Sequence, residues 1–501
     1  MKKYILIIST LALLIAGNSC SERDLDLFPP SLDEIENINT EAKLQQILNG
    51  GYLSISSTSV YGVRTMVLGD IMGDKMFTNQ NPSFLNSYNF NFNSTQQGDF
   101  SAMYDGLYGV IANCNLVINN TVVPNSAGLT RIKAEARILR GLAYFTLVNY
   151  YSASPTSGLN PEYGVPLVTT NYDASIQPAR ATIAQVYDQI IADLKDGMMN
   201  AELSGPKTTL GVNAAKLLLS KVYLTRRAAG DAQLALQLAT EVRDFSRAYN
   251  SDQNNLVKTF GSENAITGSR YTEYFASIND GVSEDQPETV WELDLTSDTN
   301  RINGIGANIS LPGYYYRLDP KKAFLFNETF YSSFAVGDVR KGISATVSSS
   351  LLTQLGTPAI TVDSPRGYWT NKYPQISSEG RYYRNIKILR FSEAYLNRIE
   401  ALSLTGQTAQ ALIELNAFAT SRSGVTYTGT NLLADILAER SKEFYGEGQR
   451  FLDLKRYNQP LSRPSNCSVC DLAANDKLFV LPVSQGALNS NENLKQYPGY
   501  N

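Results

Sequence analysis

The sequence predicts a mainly α-helical protein that contains long irregular loops and only a little β structure. Apolar residues recur at spacings of three and four along several segments, which is the period of a helix that buries one face. Several of these segments come in pairs joined by a short turn with glycine, a pattern typical of helical hairpins. Only one run, at residues 289–295, has the character of a β-strand.

The first 19 residues have the pattern of a secretory signal peptide. Two lysines precede an apolar run from Tyr4 to Ala16, which is too short to span a bilayer as a stable helix. Cys20 then stands at the cleavage position. We therefore expect residues 1–19 to be removed and residues 20–40 to form a tether that begins with Cys20.

The helical segments that follow have apolar faces of hairpin length. A separate helix is expected to begin at Thr40 and to end at Gly50 and Gly51, and another lies between Phe100 and Ile118. A hairpin of this size cannot bury its own apolar face, so neighbouring hairpins are expected to stack. The predicted hairpins lie near residues 132–196, 213–246 and 388–420.

Two stretches lack a helical period and are expected to form the ligand-facing loops. Residues 61–99 alternate polar and aromatic side chains, and they include Asp74 and Lys75. Residues 251–383 are rich in Asn, Ser, Gly, Pro and Tyr. Loops mounted on a rigid scaffold are where binding residues tend to concentrate. An ordinary surface loop is the alternative for either stretch.

The tyrosines of these loops are candidates for sugar contact. A flat aromatic ring can meet the apolar face of a sugar while neighbouring polar groups exchange hydrogen bonds with its hydroxyls. In an extended segment Tyr315 would face away from Tyr314 and Tyr316, so one set should meet the ligand and the other should pack inward. The candidate ligand-binding residues are Tyr314, Tyr315, Tyr316, Arg317, Trp369, Tyr88 and Phe90.

The segment from Asn431 to Tyr457 contains an amphipathic helix, a Gly-Glu-Gly break and a second helix. Three acids, Glu443, Glu447 and Asp453, each have an arginine three residues away along the chain. This spacing favours ion pairs within the helices. Two such carboxyls could act as acid and base in glycoside cleavage. A salt-bridged corner that holds the helices together is the favoured interpretation. The charged residues of this structural motif are Glu439, Arg440, Glu443, Glu447, Arg450, Asp453 and Arg456.

Composition excludes several functional classes. The chain has 501 residues and no histidine, which removes the commonest metal ligand and every Ser-His or Cys-His nucleophile pair. The formal net charge is -4 and no basic stripe is present, so nucleic acid is not an expected partner. We expect no catalytic residue, no metal and no cofactor.

The Cys467-Ser-Val-Cys470 sequence could be redox-active or could supply half of a zinc site. Zinc would need further ligands, and without histidine only Cys114 is left to provide one. A local disulfide or a pair of free thiols is therefore favoured.

Several motifs together resemble the SusD/RagB family of nutrient-binding outer-membrane lipoproteins from Bacteroidetes. In chain order they include RIKAEARILRGLAYFTLVNYY, GVPLV, ILRFSEAYLNRIEAL, ILAERSKEFYGEGQRFLDLKRY and the ending NLKQYPGY. The hairpins also resemble tetratricopeptide units of about 34 residues. Gly486 and Tyr497 depart from the acidic residue and the asparagine that are usual in the family.

The resemblance implies a single SusD-like domain over residues 41–501, built from tetratricopeptide-type hairpins. Cys20 resembles the acylated cysteine of bacterial lipoproteins, although Gly17 stands where leucine is preferred. Lipid chains such as palmitate would then anchor the protein in the outer membrane, exposed at the cell surface.

The functional implication is capture of oligosaccharides or other polymeric nutrients and their delivery to a SusC-like TonB-dependent channel, without catalysis. Some members of the family bind peptides instead. A surface glycoside hydrolase and a structural adhesin are the remaining alternatives. The binding residues vary within the family, so the resemblance assigns none of them.

Overall fold

The computed structural model describes most of the chain between residues 38 and 500. The predicted signal peptide, Cys20, Tyr316 and Arg317 lie outside the described residues. The described ranges are 38–78, 84–92, 99–203, 205–276, 284–295, 309–315, 324–341, 357–358, 367–370, 372–373, 382, 384–464 and 467–500.

Helices dominate the described residues, which confirms the predicted fold class. In chain order, the first eight α-helices of this part of the chain are α1 (Glu41–Ile55), α2 (Arg64–Ile71), α3 (Leu85–Tyr88), α4 (Ser101–Ile118), α5 (Ala127–Tyr151), α6 (Ile183–Asn200), α7 (Val212–Arg226) and α8 (Asp231–Ser251). The following eight are α9 (Gly268–Ala276), α10 (Leu311–Tyr315), α11 (Glu328–Ser332), α12 (Phe391–Leu404), α13 (Thr408–Ser421), α14 (Leu432–Glu443), α15 (Arg450–Arg456) and α16 (Gln485–Ser490).

Helices that follow each other in the chain pack side by side in a continuous array. The three pairs α5 with α6, α7 with α8 and α12 with α13 occupy the segments where hairpins were predicted. Helix α8 also packs against α12, which joins the second hairpin to the third across a long intervening segment. Each hairpin therefore buries its apolar face against a neighbour.

Local hydrogen bonds fix the ends of the hairpin helices. Thr182 and Gln185 form a capping box at the start of α6, in which each side chain accepts a hydrogen bond from the backbone N–H of the other residue. At the turn between α7 and α8, Gly230 has a positive φ of 86°. Asp231 accepts hydrogen bonds from Arg226 at 2.9 and 2.7 Å, so its carboxylate fastens this turn.

Helix α1 begins after Thr40 as predicted, but it does not end at Gly50 and Gly51. It continues through both glycines to Ile55. A Cβ atom on Gly51 would lie only 3.2 Å from the side chain of Leu139 in α5. Gly51 therefore allows close packing of α1 against α5, and neither glycine ends the helix.

Helix α2 lies in the stretch 61–99, which was predicted to be poor in helix. Residues 65–71 of this helix are all buried. A helix that is buried on every side has no polar face, and so its sequence lacks the periodic pattern on which the prediction depended.

The strands of the described residues are short. They are β1 (Met76–Thr78), β2 (Thr289–Leu293), β3 (Phe324–Asn327), β4 (Thr357–Pro358), β5 (Gly367–Trp369), β6 (Ile386–Arg390), β7 (Leu461–Ser462) and β8 (Asp471–Leu472). The largest sheet is antiparallel with the order β1-β3-β5-β4. Phe77 pairs with Leu325, and Phe326 pairs with Tyr368, so strands from both loop stretches join in one sheet. Strand β2 pairs with β6, and β7 pairs with β8.

The Gly-Glu-Gly break between α14 and α15 brings its backbone directly against α2. Gly446 and Gly448 have φ values of 75° and 72°, in the left-handed region that favours glycine. A Cβ atom built on Gly69 would lie 1.8 Å from the carbonyl oxygen of Gly448. One built on Gly448 would lie 2.8 Å from the Cα atom of Met66. The two backbones touch, with no room for a side chain on either.

Two glycine substitutions test this contact, and we expect them to change stability in opposite directions. Gly69→Ala should lower the free energy of unfolding by about 1 to 3 kcal/mol, because the added methyl group must push the two backbones apart. Gly109→Ala in α4 is the matched control, since no atom lies within 4 Å of its added Cβ. It should raise the free energy of unfolding by about 0.5 to 1 kcal/mol through helix propensity. Urea unfolding followed by circular dichroism measures both; similar effects would contradict the close contact.

Candidate functional site

The charged corner of α14 and α15 is centred on Glu443, which is fully buried. Its carboxylate accepts hydrogen bonds from Arg390 at 3.0 Å, from Arg422 at 3.1 Å and from Arg340 at 3.4 Å. Burial alone would raise the pKa of Glu443. The three guanidinium groups outweigh that effect and hold the pKa well below its usual range.

Two of these arginines, Arg340 and Arg390, extend the network to other acids. Arg340 also donates to Glu439 at 2.6 Å and to Asp338 at 2.8 Å. Arg390 donates to Glu447 at 2.9 Å, and Lys372 donates to Glu447 at 2.7 Å. Thus α14, the start and end of the third hairpin and two segments of the loop stretch 251–383 meet in one buried ionic cluster.

The remaining charges of the corner form a second group. Arg456 pairs with Asp453 at 2.8 Å, three residues away, as the helical spacing predicts. The same expectation is wrong for Arg440, which pairs with Asp453 at 3.1 Å rather than with Glu443. It is also wrong for Arg450, which makes a two-pronged pair with Asp74 at 2.7 and 2.8 Å. Each of these two arginines therefore pairs with an acid of another segment instead of the acid three residues away.

The protonation of the corner acids does not suit acid catalysis. A general acid in glycoside cleavage must be protonated near neutral pH, so its pKa has to be raised. Burial would raise the pKa of Asp453, but Arg440 and Arg456 bring it down to about 2. Since Glu443 is likewise held ionised, the corner has the properties of a structural ion-pair network.

The aromatic candidates fall within the protein interior wherever the structure describes them. Tyr314 and Tyr315 belong to helix α10, so the expectation of an extended segment with alternating sides is wrong for these two residues. The Tyr314 ring stacks on Phe324 with ring centroids 5.3 Å apart. The Tyr315 hydroxyl donates a hydrogen bond to buried Asp70 at 3.0 Å. Tyr314 and Tyr315, which were expected to face opposite sides, therefore both pack inward.

The other aromatic candidates are buried elsewhere. Tyr88 and Phe90 flank the guanidinium of Arg463, whose Cζ lies 4.4 and 4.7 Å from the two ring centroids. Trp369 lies in strand β5 with only 2 % of its surface exposed. The described contacts do not place these rings side by side on one exposed surface. Direct ligand contact by them stays a prediction.

The Cys467 and Cys470 side chains form a disulfide, which decides between the two alternatives left by the sequence. The bridge closes the loop between β7 and β8, and Arg463 donates its backbone N–H to Cys470 in the same loop. Cys114 is a buried free thiol.

The structure contains a small inner cavity and a larger groove. The inner cavity has a volume of about 80 Å³ and is lined in part by Tyr61, Asn397 and Arg440. This volume is far below that of a usual ligand site, so the cavity has no room for a sugar ring.

The larger opening, which we call the corner groove, has a volume of about 380 Å³ and lies between α11, α14, α15 and residues 74–75. That volume falls in the range of about 300 to 1,000 Å³ that is usual for ligand sites. Its floor is apolar, because Phe330, Leu437 and Leu454 are buried there. Its polar lining residues are Asp74, Lys75, Thr329, Ser333, Ser441, Lys442, Arg450, Gln459 and Ser462.

Most of the corner groove was not predicted as a site. Asp74 and Lys75 belong to the stretch 61–99, which the sequence predicts to be a ligand-facing loop, whereas Lys442 was not a candidate. For the rest of the groove, the one available signal was the face of α14 that bears Ala434, Leu437 and Ser441 at helical spacing. That spacing predicts a shared face, but it cannot show that the face borders a groove instead of the core.

Two family models match the chain. A model described as starch-binding and associating with the outer membrane matches residues 25–224, and the SusD family model matches residues 356–500. A SusD-like protein from Bacteroides ovatus is 24% identical over 489 residues, which cover 91% of this chain and 82% of that protein.

Solved structures show the same fold. A SusD superfamily protein from Bacteroides thetaiotaomicron is 25% identical, with a TM-score of 0.74 over 92% of this chain and 100% of that one. Surface glycan-binding protein A from Bacteroides uniformis is 19% identical, with a TM-score of 0.65 over 90% of this chain and 98% of that one. The likeness to surface glycan-binding protein A shows a shared fold.

The ionic cluster generates a prediction on stability. Glu443→Gln should lower the free energy of unfolding by about 3 to 5 kcal/mol, because the neutral amide leaves three buried guanidinium groups without their shared counter-charge. Glu241→Gln is the matched control, since Glu241 pairs with Lys216 at 2.8 Å near the surface. Its cost should stay below about 1 kcal/mol. Urea denaturation compares the two variants, and equal costs would show that the cluster is not stabilising.

Asp70 generates a prediction on pH. Burial raises its pKa from 3.8 to about 7, although hydrogen bonds from Tyr315 and from the backbone of Gly448 oppose the shift. The folded chain therefore holds a proton that the unfolded chain has lost, and this stabilisation is complete below the unfolded pKa and disappears as the pH rises through the folded one.

The wild type is accordingly expected to lose about 1.4 kcal/mol of stability per pH unit between about pH 4 and pH 7, relative to Asp70→Asn. Urea titrations of both proteins across this interval measure the difference. A difference that does not change with pH would contradict the raised pKa.

Proposed function

The chain belongs to the SusD family, and from this membership we propose that it captures glycans at the outer surface of the outer membrane. Captured oligosaccharides pass to a SusC-like TonB-dependent channel in the same membrane. The protein acts by binding and release and cleaves no bond. Lipid chains on Cys20 attach it to the membrane.

The observation that carries this proposal is the extent of the family fold. The SusD superfamily structure from Bacteroides thetaiotaomicron covers 92% of this chain and is itself covered completely. The likeness therefore includes the hairpin scaffold and the loop-bearing half of the molecule, and it supports a role for the whole chain rather than for one segment.

Glycan as the ligand has two further supports. One is a structural neighbour, surface glycan-binding protein A from Bacteroides uniformis, which shares the fold over 90% of this chain. The other is the corner groove, whose apolar floor and polar rim offer both surfaces that a sugar ring requires.

Binding without cleavage agrees with the chemistry of the chain. The sequence has no histidine to serve as a general base. The pKa of Asp453 is about 2 because Arg440 and Arg456 overcome the effect of its burial, so it has no proton to give to a leaving group near neutral pH. These properties support binding rather than cleavage at the charged corner.

Attachment through lipid fits the position of Cys20 directly after a signal-like apolar run. Each buried methylene of an acyl chain contributes about 0.8 kcal/mol to membrane binding, so two or more chains hold a protein firmly. None of the helices in the described residues is long and apolar enough to cross a bilayer.

Lipid attachment is tested by Cys20→Ala. We expect this variant to remain folded and to leave the outer-membrane fraction, because it lacks the acceptor for the lipid chains. Ser21→Ala is the control and should sediment with outer membranes like the wild type. Quantitative blotting of soluble and membrane fractions provides the measurement. Retention of the Cys20 variant in the membrane would mean that the lipid is not its anchor.

Glycan capture is tested with a panel of oligosaccharides and the full-length protein. Isothermal titration should detect binding to at least one member of the panel, and chromatography of the recovered ligand should show an unchanged chain length. Shortened products would identify a hydrolase. Binding of peptides with no binding of any saccharide would point to a peptide-binding member of the family.

A further inference from the structure

We infer that the corner groove is a subsite for an anionic sugar unit, one that bears a carboxylate or a sulfate ester. This inference rests on the proposed glycan-binding function and names the class of glycan. Three features of the groove support it: the balance of charge, the burial of the cations and the polar partners of these cations.

Cations outnumber acids among the described residues that line the groove. Lys75, Lys442 and Arg450 are the cations, and Asp74 is the acid. Asp74 is shared between Arg450, at 2.7 and 2.8 Å, and Lys75, at 3.2 Å. One carboxylate thus serves two cations and leaves this group with a net positive charge.

Lys442 adds a second positive charge, and its surroundings are unusual for a lysine. It is only 4 % exposed, and its ammonium nitrogen lies 3.2 Å from the hydroxyl of Tyr427. No carboxylate among the described residues lies within the 4.0 Å of an ion pair with it. The ammonium nitrogen also lies 5.4 Å from the centroid of the Tyr427 ring and 6.0 Å from that of Phe334. The Tyr427 hydroxyl is the one hydrogen-bond acceptor that it has among the described residues, although an ammonium group has three hydrogens to donate.

The acid that acts on Lys442 most strongly is already engaged elsewhere. Glu439 accepts hydrogen bonds from Arg340 at 2.6 Å and from Tyr427 at 2.7 Å. Burial lowers the pKa of Lys442 in spite of the attraction by Glu439. Burial also lowers the pKa of Lys75. Both ammonium groups have lost part of their hydration, so an anion bound in the groove that these residues line would compensate for that loss.

The remaining lining matches a sugar that carries the anion. Phe330, Leu437 and Leu454 form an apolar floor for one face of the ring. Ser333, Gln459 and Ser462 stand at the rim, where they can exchange hydrogen bonds with ring hydroxyls. A free inorganic anion would use the cations but not the floor, whereas a charged sugar unit uses both.

The test measures full-length protein by isothermal titration against paired oligosaccharides. Trigalacturonate and a sulfated galactan tetrasaccharide that contains no uronic acid are compared with their methyl-esterified and desulfated counterparts, which have the same rings without the charge. We expect at least one charged member to bind about tenfold or more tightly than its neutral counterpart. Raising the salt from about 50 to about 500 mM should reduce this difference.

The variants Lys75→Gln and Lys442→Gln should each weaken binding of the charged member about fivefold or more and change binding of its neutral counterpart little. Lys216→Gln is the matched control, because Lys216 lies in α7 outside the groove. Lys75 is 30% exposed in its side chain, so its variant tests the groove even if Lys442→Gln fails to fold.

The outcomes separate the inference from the function on which it depends. Equal affinity for charged and neutral oligosaccharides, or no effect of either lysine variant, would overturn the anionic subsite and leave glycan capture standing. If no saccharide of either kind binds, both are overturned. Binding of a polyglutamate peptide in place of any saccharide would also overturn both and identify an acidic peptide as the ligand.

Discussion

The structure depends above all on the burial of Glu443 among three arginines. A fully buried carboxylate costs several kcal/mol unless all its partners are in place. Arg390 precedes α12, Arg422 follows α13 and Arg340 comes from the loop stretch, so the acid can be compensated only when these three segments converge. Electrostatics therefore fixes the third hairpin against the irregular half of the molecule, where apolar contact alone would allow sliding.

Helix α14 connects this cluster to the corner groove because the two occupy different faces of the helix. Glu439 and Glu443, one turn apart, point into the ionic cluster. Ala434, Leu437 and Ser441, also at helical spacing, line the groove. The ion pairs on one face of α14 hold the helix in place, and so they fix the position of the face that lines the groove. The groove gains its rigidity from charges that take no part in forming its surface.

Sequence reasoning succeeded where contacts are local and failed where they are distant. The hairpin helices α7 and α8 were predicted from the spacing of their apolar residues and from the glycine in their turn. The pair of Arg456 and Asp453 follows from positions three apart on one helix. In contrast, the partner of Arg450 is an aspartate from a different part of the chain, and no spacing within the helix could identify it.

The candidate site was harder to predict than the scaffold for a related reason. Tyrosine has an apolar body and a polar tip, which suits it to a binding surface and equally to a core that offers one acceptor. Asp70 is such an acceptor for Tyr315, and it comes from helix α2, which the sequence did not reveal. The ion pair of Asp74 with Arg450 spans 376 residues of the chain. During synthesis, the segment that contains Asp74 emerges long before its partner exists, so this half of the groove stays unassembled until nearly the whole polypeptide has been made, and its closure is a late event in folding.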